Sequence, residues 1–447
     1  MRTSTMWWAA TGLAATLMLT ACSGSSGGPG DSGAQQAVQV GDTWSGGTTT
    51  VRLWNDNTGI EPAVDLFNQE FAEQGIQIEF TEKTDLNTAV RNAHQAGNGP
   101  DLFVSQSADL ASFISEGVAS DLSRYYGSIS GDYSDIANSA VTTGDRQWAV
   151  PLATIPTFML YNAAVFEKND IEYPTTYEEF IDDGKKLKEQ GVSVYNLAGE
   201  DPTTLIYLAW QAGARWYTLK DGTWHIDVDS PQSRRAAQLI DDGLDAGIFA
   251  KISYAEYAAM MQAYDEGTIA SRQLSTWQTR GMQTNLDKSL GDWEPAPNLK
   301  WEGGADGNAS FTRVLTVESK SADTDAAVFA AHWLSTAPDA LNALADPVDG
   351  LAYYPATGDA SSYSAATEPG ELLGSHASTW DTVVGTAAQQ QLGDWTYGPN
   401  WAGAFSYLQD LWGKAVAGQI ETVEIAPALQ SWIVKDLKSQ GVSVTED

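Results

Sequence analysis

Apolar and polar residues follow one another along this chain in two periods, and the switches between them lay out the fold. Residues 49–54 (TTVRLW) alternate as a strand does. A polar run follows, and apolar residues then recur at Ile60, Val64, Phe67 and Phe71, the spacing of one helix face. Pro62 falls in the first turn, where its missing N–H is tolerated, and Gly75 stands where the helix must stop. Residues 76–81 (IQIEFT) alternate again. Residues 86–96 read as a helix closed by Gly97-Asn98-Gly99-Pro100, 101–105 as a short strand, and 109–116 as another helix.

The rhythm continues with breaks. Two extended pieces, 147–152 and 157–162, flank Pro151 and Pro156. Thr176 and Glu179 have capping-box spacing and open a helix to about residue 190, with Gly184 awkwardly inside it. Ser230 and Pro231 open a further helix as N-cap and first residue, and Gly247 ends it. Helices are also expected over 326–335, 405–417 and 429–440. No period repeats along the chain. Strand–helix alternation with short turns predicts an α/β fold with a mostly parallel sheet covered on both faces. No Pro/Ser-rich linker divides the chain, so two lobes would have to be interleaved. Residues 151–156 and 310–317 are the expected crossings.

The N-terminus has a different pattern. Arg2 precedes an apolar run over about 6–19, too short for a comfortable membrane span and typical of an export signal. The chain's one cysteine, Cys22, follows at once in Leu19-Thr20-Ala21-Cys22. Residues 22–43 are rich in Ser, Gly and Gln and read as a flexible tether.

Composition narrows the chemistry. Among 447 residues, 58 Asp and Glu oppose 24 Lys and Arg, a formal charge of −34. Such a field repels phosphate, so nucleic acid is not an expected partner and polyanionic ligands are disfavoured. One cysteine excludes a disulfide framework and a Cys-rich metal site. His94, His225, His332 and His376 are scattered, and runs such as Asp241-Asp242 lack a calcium-loop register, so neither metal nor cofactor is expected. There is no Gly-x-x-x-x-Gly-Lys-Ser/Thr, Gly-x-Ser-x-Gly or His-Glu-x-x-His stretch. The unusual feature is aromatic: 17 Trp and 17 Tyr, which are either packed inside or displayed to a ligand.

Several segments, taken in order, resemble the solute-binding lipoproteins of bacterial ABC sugar importers, the family related to maltose-binding protein. They are Gly97-Asn98-Gly99-Pro100-Asp101-Leu102, Trp148-Ala149-Val150-Pro151-Leu152, Leu160-Tyr161-Asn162, Val165-Phe166-Glu167-Lys168, Pro174-Thr175-Thr176-Tyr177-Glu178-Glu179-Phe180 and Trp210-Gln211-Ala212-Gly213. The segment ending in Cys22 resembles a lipobox. The chain departs from the family at Arg146 and Gln147, where a glycine is usual, and over 264–271. The resemblance implies a two-lobed, periplasmic-binding-protein-like fold with interleaved lobes and a central ligand cleft. It implies a signal peptide over 1–21, a lipid anchor on Cys22 and a place on the extracellular face of the cytoplasmic membrane, compatible with a Gram-positive bacterium. The lobes are expected at 44–153 with about 312–350, and 154–311 with about 351–447. The expected partners are a carbohydrate and the permease subunits of an ABC importer, with the protein acting as a monomer and not as an enzyme.

A sugar has apolar ring faces and a fringe of hydroxyls. Its site should pair aromatic plates with amides and carboxylates, because a buried hydroxyl without a partner is costly. In α/β sheets such sites lie beyond the carboxyl ends of strands. Trp54, Asn55 and Asp56 end the first strand, and Gln106, Ser107 and Asp109 follow the 101–105 strand. Asn55, Asp56 and Asp109 could equally cap loops or helices. Trp210, Trp277, Asn308, Trp380, Trp395 and Trp401 complete the candidates, with core packing as the competing role for Trp54 and Trp210. Trp395 and Trp401 flank a Gly-Pro loop, and one of them is expected to stack on ligand. Asp101 opens its strand and is expected to be structural. Trp412 and Trp432 are expected in the core, and Trp224 on a remote hairpin. Several stacking residues favour an oligosaccharide and the acidic composition a neutral one, while Arg52, Arg272, Arg280 and Arg313 could each pair with a ligand carboxylate. A monosaccharide, a polyol or another small polar solute is the alternative, and a secreted glycan-active enzyme is the alternative of another class.

Overall fold

A computed structural model describes residues 37–446 apart from 305, 306, 359 and 394. The export segment and Cys22 lie outside these residues. The strands of the two central sheets are, in chain order, β1 (Thr49–Asn55), β2 (Ile76–Glu82), β3 (Leu102–Gln106), β4 (Val150–Thr154), β5 (Thr157–Asn162), β6 (Ser271–Ser275), β7 (Trp293–Ala296), β8 (Thr312–Val317) and β9 (Tyr354–Pro355).

The first sheet has six strands in the order β9-β4-β8-β3-β1-β2. β1 pairs in parallel with β2 and β3, as the strand–helix alternation predicts. β8 then enters antiparallel between β3 and β4. Pro151 lies opposite Val314, where the register shifts, so the missing proline N–H falls at an irregularity rather than in a regular ladder. The second sheet is β6-β5-β7, wholly antiparallel, so the expectation of a mostly parallel sheet holds only for β1, β2 and β3.

Around the first sheet, helices Glu61–Glu70, Leu86–Ala96, Ser107–Ser115 and Thr324–Thr336 supply apolar faces. The expected stops hold: Gly75 and Gly97 take left-handed conformations, with φ of 79° and 73°. In the second lobe the Thr176 hydroxyl accepts from the Glu179 N–H at 3.1 Å, and the Glu179 carboxylate accepts from the Thr176 N–H at 3.2 Å. Gly184 explains itself: a β-carbon there would come within 2.8 Å of Ile248. The last two helices, Trp401–Val416 and Ile425–Ser439, each begin four residues earlier than the apolar pattern suggests.

Three apolar cores result. The first draws on Val51 to Ile155 and Val314 to Ala356. The other two share β5. Phe158 and Leu160 point into one, and Met159 into the other, because successive strand residues face opposite sides. The chain passes between the sheets at Ile155-Pro156 and again just before β8. These two links touch, since the Ser310 hydroxyl donates to the Ile155 carbonyl. β9 still pairs with the first sheet, Tyr354 opposite Thr154 and Pro355 opposite Ala153. The fold is thus a two-lobed α/β, periplasmic-binding-protein-like one, with interleaved strands linking the lobes.

Part of the stretch expected as tether is packed. From Val38 the chain is tied to the first lobe: the Val38 N–H donates to the Arg124 carbonyl at 2.9 Å, and the Val40 N–H to the Ser128 hydroxyl at 3.2 Å. Val38 and Val40 both pack against the first core.

Candidate functional site

A cavity of about 520 Å³ opens where the two sheets meet, within the range of about 300–1,000 Å³ usual for small-molecule sites. Gln106, at the carboxyl end of β3, and Asp109, in the helix after it, line one side. Tyr195, Tyr207, Tyr254, Gln273, Trp277, Tyr397 and Phe405 line the other, and Ile155 and Phe311 come from the links. Two smaller cavities, of about 340 and 320 Å³, continue past Gln106 toward Asp56 and Arg313. A third, of about 340 Å³, shares Tyr397 and runs toward Ser107 and Trp395. The cleft is therefore elongated.

Gln106 touches three of these spaces, and its amide bonds to no other described residue. It is a donor and acceptor kept available. Asp109 is half-buried and accepts from the Asn87 amide at 2.9 Å. Removal from water pushes its carboxyl above the usual range, against the opposing pull of Asn87, Arg91 and Arg313. Arg91 carries a charge into the cavity, but Glu116 meets it at 2.6 Å. Asp201 accepts from the Thr203 hydroxyl at 2.6 Å and from its N–H at 3.1 Å. The main cavity thus offers hydroxyls, amides and carboxylates but no unpaired cation among its described walls, together with broad aromatic faces.

The sequence candidates divide. Asp56, Gln106, Asp109, Trp277 and Trp401 line the cleft, and Ser107, Trp210 and Trp395 line its extension. Asp56 also meets Arg313 at 3.1 Å. Ser107 holds β8, since its hydroxyl accepts from the Thr312 N–H at 3.1 Å. Other candidates are engaged elsewhere. Asn55 is fully buried, and its amide donates to the Asn57 carbonyl at 2.9 Å. Trp54 packs against the first core under the Lys83 ammonium, 4.6 Å from its ring. Asn308 is buried and donates to the Ala387 carbonyl at 2.6 Å. Trp380 is fully buried, edge-on to Phe158 and bonded to the Ser364 carbonyl, so it fills the third core instead of facing ligand. Trp210, although it lines the extension, stacks on Trp395 at 5.1 Å and is only 4% exposed.

Asp101 is structural as expected: it takes both ends of the Arg52 guanidinium at 2.9 and 3.1 Å and accepts from Ser321 at 3.0 Å. Burial raises its pKa, but these bonds outweigh burial and hold the carboxyl below its usual range. Trp412 is buried, Trp432 packs half-buried on the second core, and Trp224 lies on the small hairpin formed with Tyr217–Lys220. Sequence reasoning missed Tyr207, Tyr254, Asn87, Gln273 and Gln278. Tyr207 sits inside an apolar helix and reads as core. Gln278 reads as the capping partner of Ser275, whose N–H it does accept at 3.0 Å, and a pairing of β5 with β6 is needed to bring Gln273 into the cleft.

Among the described residues no group of three or more metal-ligating side chains forms, and no helix is long and apolar enough to cross a membrane.

Comparison with known proteins places this architecture. A family model for bacterial extracellular solute-binding proteins matches residues 56–340. A maltotriose-binding protein of Pyrococcus abyssi is 26% identical over 162 residues, 35% of this chain and 34% of that protein. A diacetylchitobiose binding protein of Streptomyces coelicolor is 25% identical over 186 residues, 41% of this chain and 42% of that one. The matched stretches thus span well under two thirds of these relatives. The solved galacto-N-biose-/lacto-N-biose I-binding protein of the ABC transporter from Bifidobacterium longum superposes with a TM-score of 0.77 at 22% identity, covering 90% of this chain and 100% of that one. The family match covers more than half of the chain and agrees with the two-lobed fold, and the chain belongs to the bacterial extracellular solute-binding proteins.

Proposed function

We propose that this protein captures a carbohydrate, specifically a neutral oligosaccharide, between its lobes and delivers it to the permease of an ABC importer. The observation that carries this reading is the elongated interlobe cleft, which combines Trp277, Tyr207, Tyr254 and Phe405 with Gln106, Asp109, Gln273 and Gln278. Aromatic faces cover the C–H face of a sugar ring, and the amides and carboxylates take its hydroxyls. In the main cavity the Arg91 charge is met by Glu116, which favours a neutral ligand there, and Arg280 in the adjoining cavity is the group an acidic ligand would meet. The names of the relatives agree in class: they bind maltotriose, diacetylchitobiose and lacto-N-biose. Within this reading Cys22 carries the lipid anchor after removal of 1–21. The monomeric body works at the outer face of the cytoplasmic membrane, and the two touching links act as the hinge.

The test is a thermal-shift screen of the body lacking Cys22 against neutral oligosaccharides, their monosaccharides, polyols and uronic acids. A ligand held only by the folded state adds about 2.7 kcal/mol at a hundred times its dissociation constant. A shift with an oligosaccharide series is expected. A shift confined to a monosaccharide, polyol or uronic acid would replace the oligosaccharide with that solute, and release of shortened glycans would replace binding with catalysis.

A further inference from the structure

Among the described residues, the large apolar side chains left exposed are Leu219, Tyr254, Tyr257, Trp277 and Val348. The three aromatic ones belong to one place. Tyr254 and Trp277 both line the cleft cavity, with 40% and 47% of their surfaces exposed. Tyr257 opens the helix Tyr257–Asp265, three residues after Tyr254. Its hydroxyl lies against Gly281, where a β-carbon would come within 2.4 Å of the phenol oxygen. Gly281 follows Trp277 by four positions in the helix Thr276–Asn285, and residues four apart share a helix face. Tyr257 therefore lies over the face that carries Trp277, one turn along, where neither it nor Gly281 lines the cavity.

The three rings are held in place without being covered. The Glu200 carboxylate accepts from the Ser253 hydroxyl at 2.8 Å and from the Tyr254 N–H, fixing the turn that presents Tyr254 and Tyr257. Gln409 in turn donates to the Glu200 carbonyl at 3.0 Å. Elsewhere in the second lobe, rings stack on rings, as Trp210 does on Trp395 and Tyr407 on Trp432. Exposed apolar groups gathered beside a cleft mark a contact surface, whereas single scattered ones do not. Because the surface is continuous with the cleft, its occupant is the part of a ligand that leaves the cleft.

We propose that Tyr254, Tyr257 and Trp277 form an outer carbohydrate subsite, along which a neutral glycan longer than the cleft continues over the rim of the second lobe. This rests on the carbohydrate reading above.

The test is calorimetric titration of the protein with maltooligosaccharides, β-1,4-linked N-acetylglucosamine oligomers and β-1,6-galactooligosaccharides, each from two to six units. In the series that binds, affinity is expected to rise about tenfold from the shortest to the longest member. Tyr257→Ala should remove that rise and leave the shortest member bound as in the wild type, and Tyr257→Phe, which keeps the ring, should retain it. Gly281→Ala should shrink the rise by displacing the phenol. Hydrogen exchange should show protection around residues 253–258 by the longest member only. Equal affinity at every length, or a rise that survives Tyr257→Ala, overturns the outer subsite and leaves the carbohydrate reading standing. Loss of transport in Tyr257→Ala with glycan binding intact at every length also overturns it and assigns the rim to a protein partner. Failure of every series to bind overturns both.

Discussion

At the rim of the second lobe, Trp277 is the second residue of a ten-residue helix and is 47% exposed. Inside the same lobe, Trp380 is the first residue of a helix of equal length and is fully buried. Trp401 opens a third helix, lines the cleft and is 3% exposed, packed among Trp216, Tyr217, Tyr397 and Phe405. The local positions match, and the surroundings decide. A tryptophan serves a ligand when nothing in the protein already covers its face, and what covers it comes from residues far along the chain. The carboxylates repeat the contrast. Asp101 is satisfied by Arg52 and Ser321, while Asp109 has Asn87 and otherwise faces the cleft.

The sharpest way to break the comparison is Trp380→Ala. A buried ring removed from a closed core should cost about 3–5 kcal/mol in denaturant unfolding. Glycan affinity of the folded fraction should not change, and a lost affinity would move Trp380 to the ligand. Trp277→Ala should do the reverse. Its stability should stay within about 0.5 kcal/mol of wild type, while binding of a cleft-filling oligosaccharide weakens by about 2 kcal/mol in calorimetry. Equal effects in the two variants would erase the distinction between rim and core.

The carboxylates sharpen the contrast with smaller effects. Asp101→Asn should lower stability by about 1.5 kcal/mol near neutral pH. Because the Asp101 carboxyl is held below its usual range, its contribution is present above the unfolded-state value and lost as pH falls through the folded one. The gap between variant and wild type should therefore close in acid. Asp109→Asn should stabilise the unliganded protein by about 1 kcal/mol and weaken glycan binding. Here the sign is opposite. A carboxyl raised in the fold makes wild-type stability decline as pH climbs from the ordinary Asp range through the raised value, and the variant should lack that decline. Unfolding midpoints measured from acid to neutral pH decide both cases.

Much of the framework was legible because its signals are local. Pro62, Gly75, Gly97 and the Thr176–Glu179 pair act within a turn of their own positions, and the structure places each where the pattern requires. The carboxyl end of β3 was legible for a similar reason, since strand ends point to the cleft whatever the rest of the fold does. The antiparallel entry of β8 beside β3 depends on partners more than 200 residues apart, such as Ser105 with Thr316 at 2.8 Å, and no window of sequence contains it. The same holds for the tryptophans. Trp210 stood between core and ligand in the sequence, and only the fold shows that Trp395, far along the chain, stacks on it. Tyr257 gave no signal at all, because what leaves it bare on the helix Thr276–Asn285 is the lack of a side chain at Gly281.

The place of β8 also governs how the molecule is made. β8 sits between β3 and β4, although the chain reaches it only after completing β5, β6 and β7. A chain released N-terminus first presents β3 and β4 with open edges until residue 317 has emerged, so the first lobe cannot close ahead of most of the second. Such non-local pairing slows folding and leaves strand edges bare meanwhile.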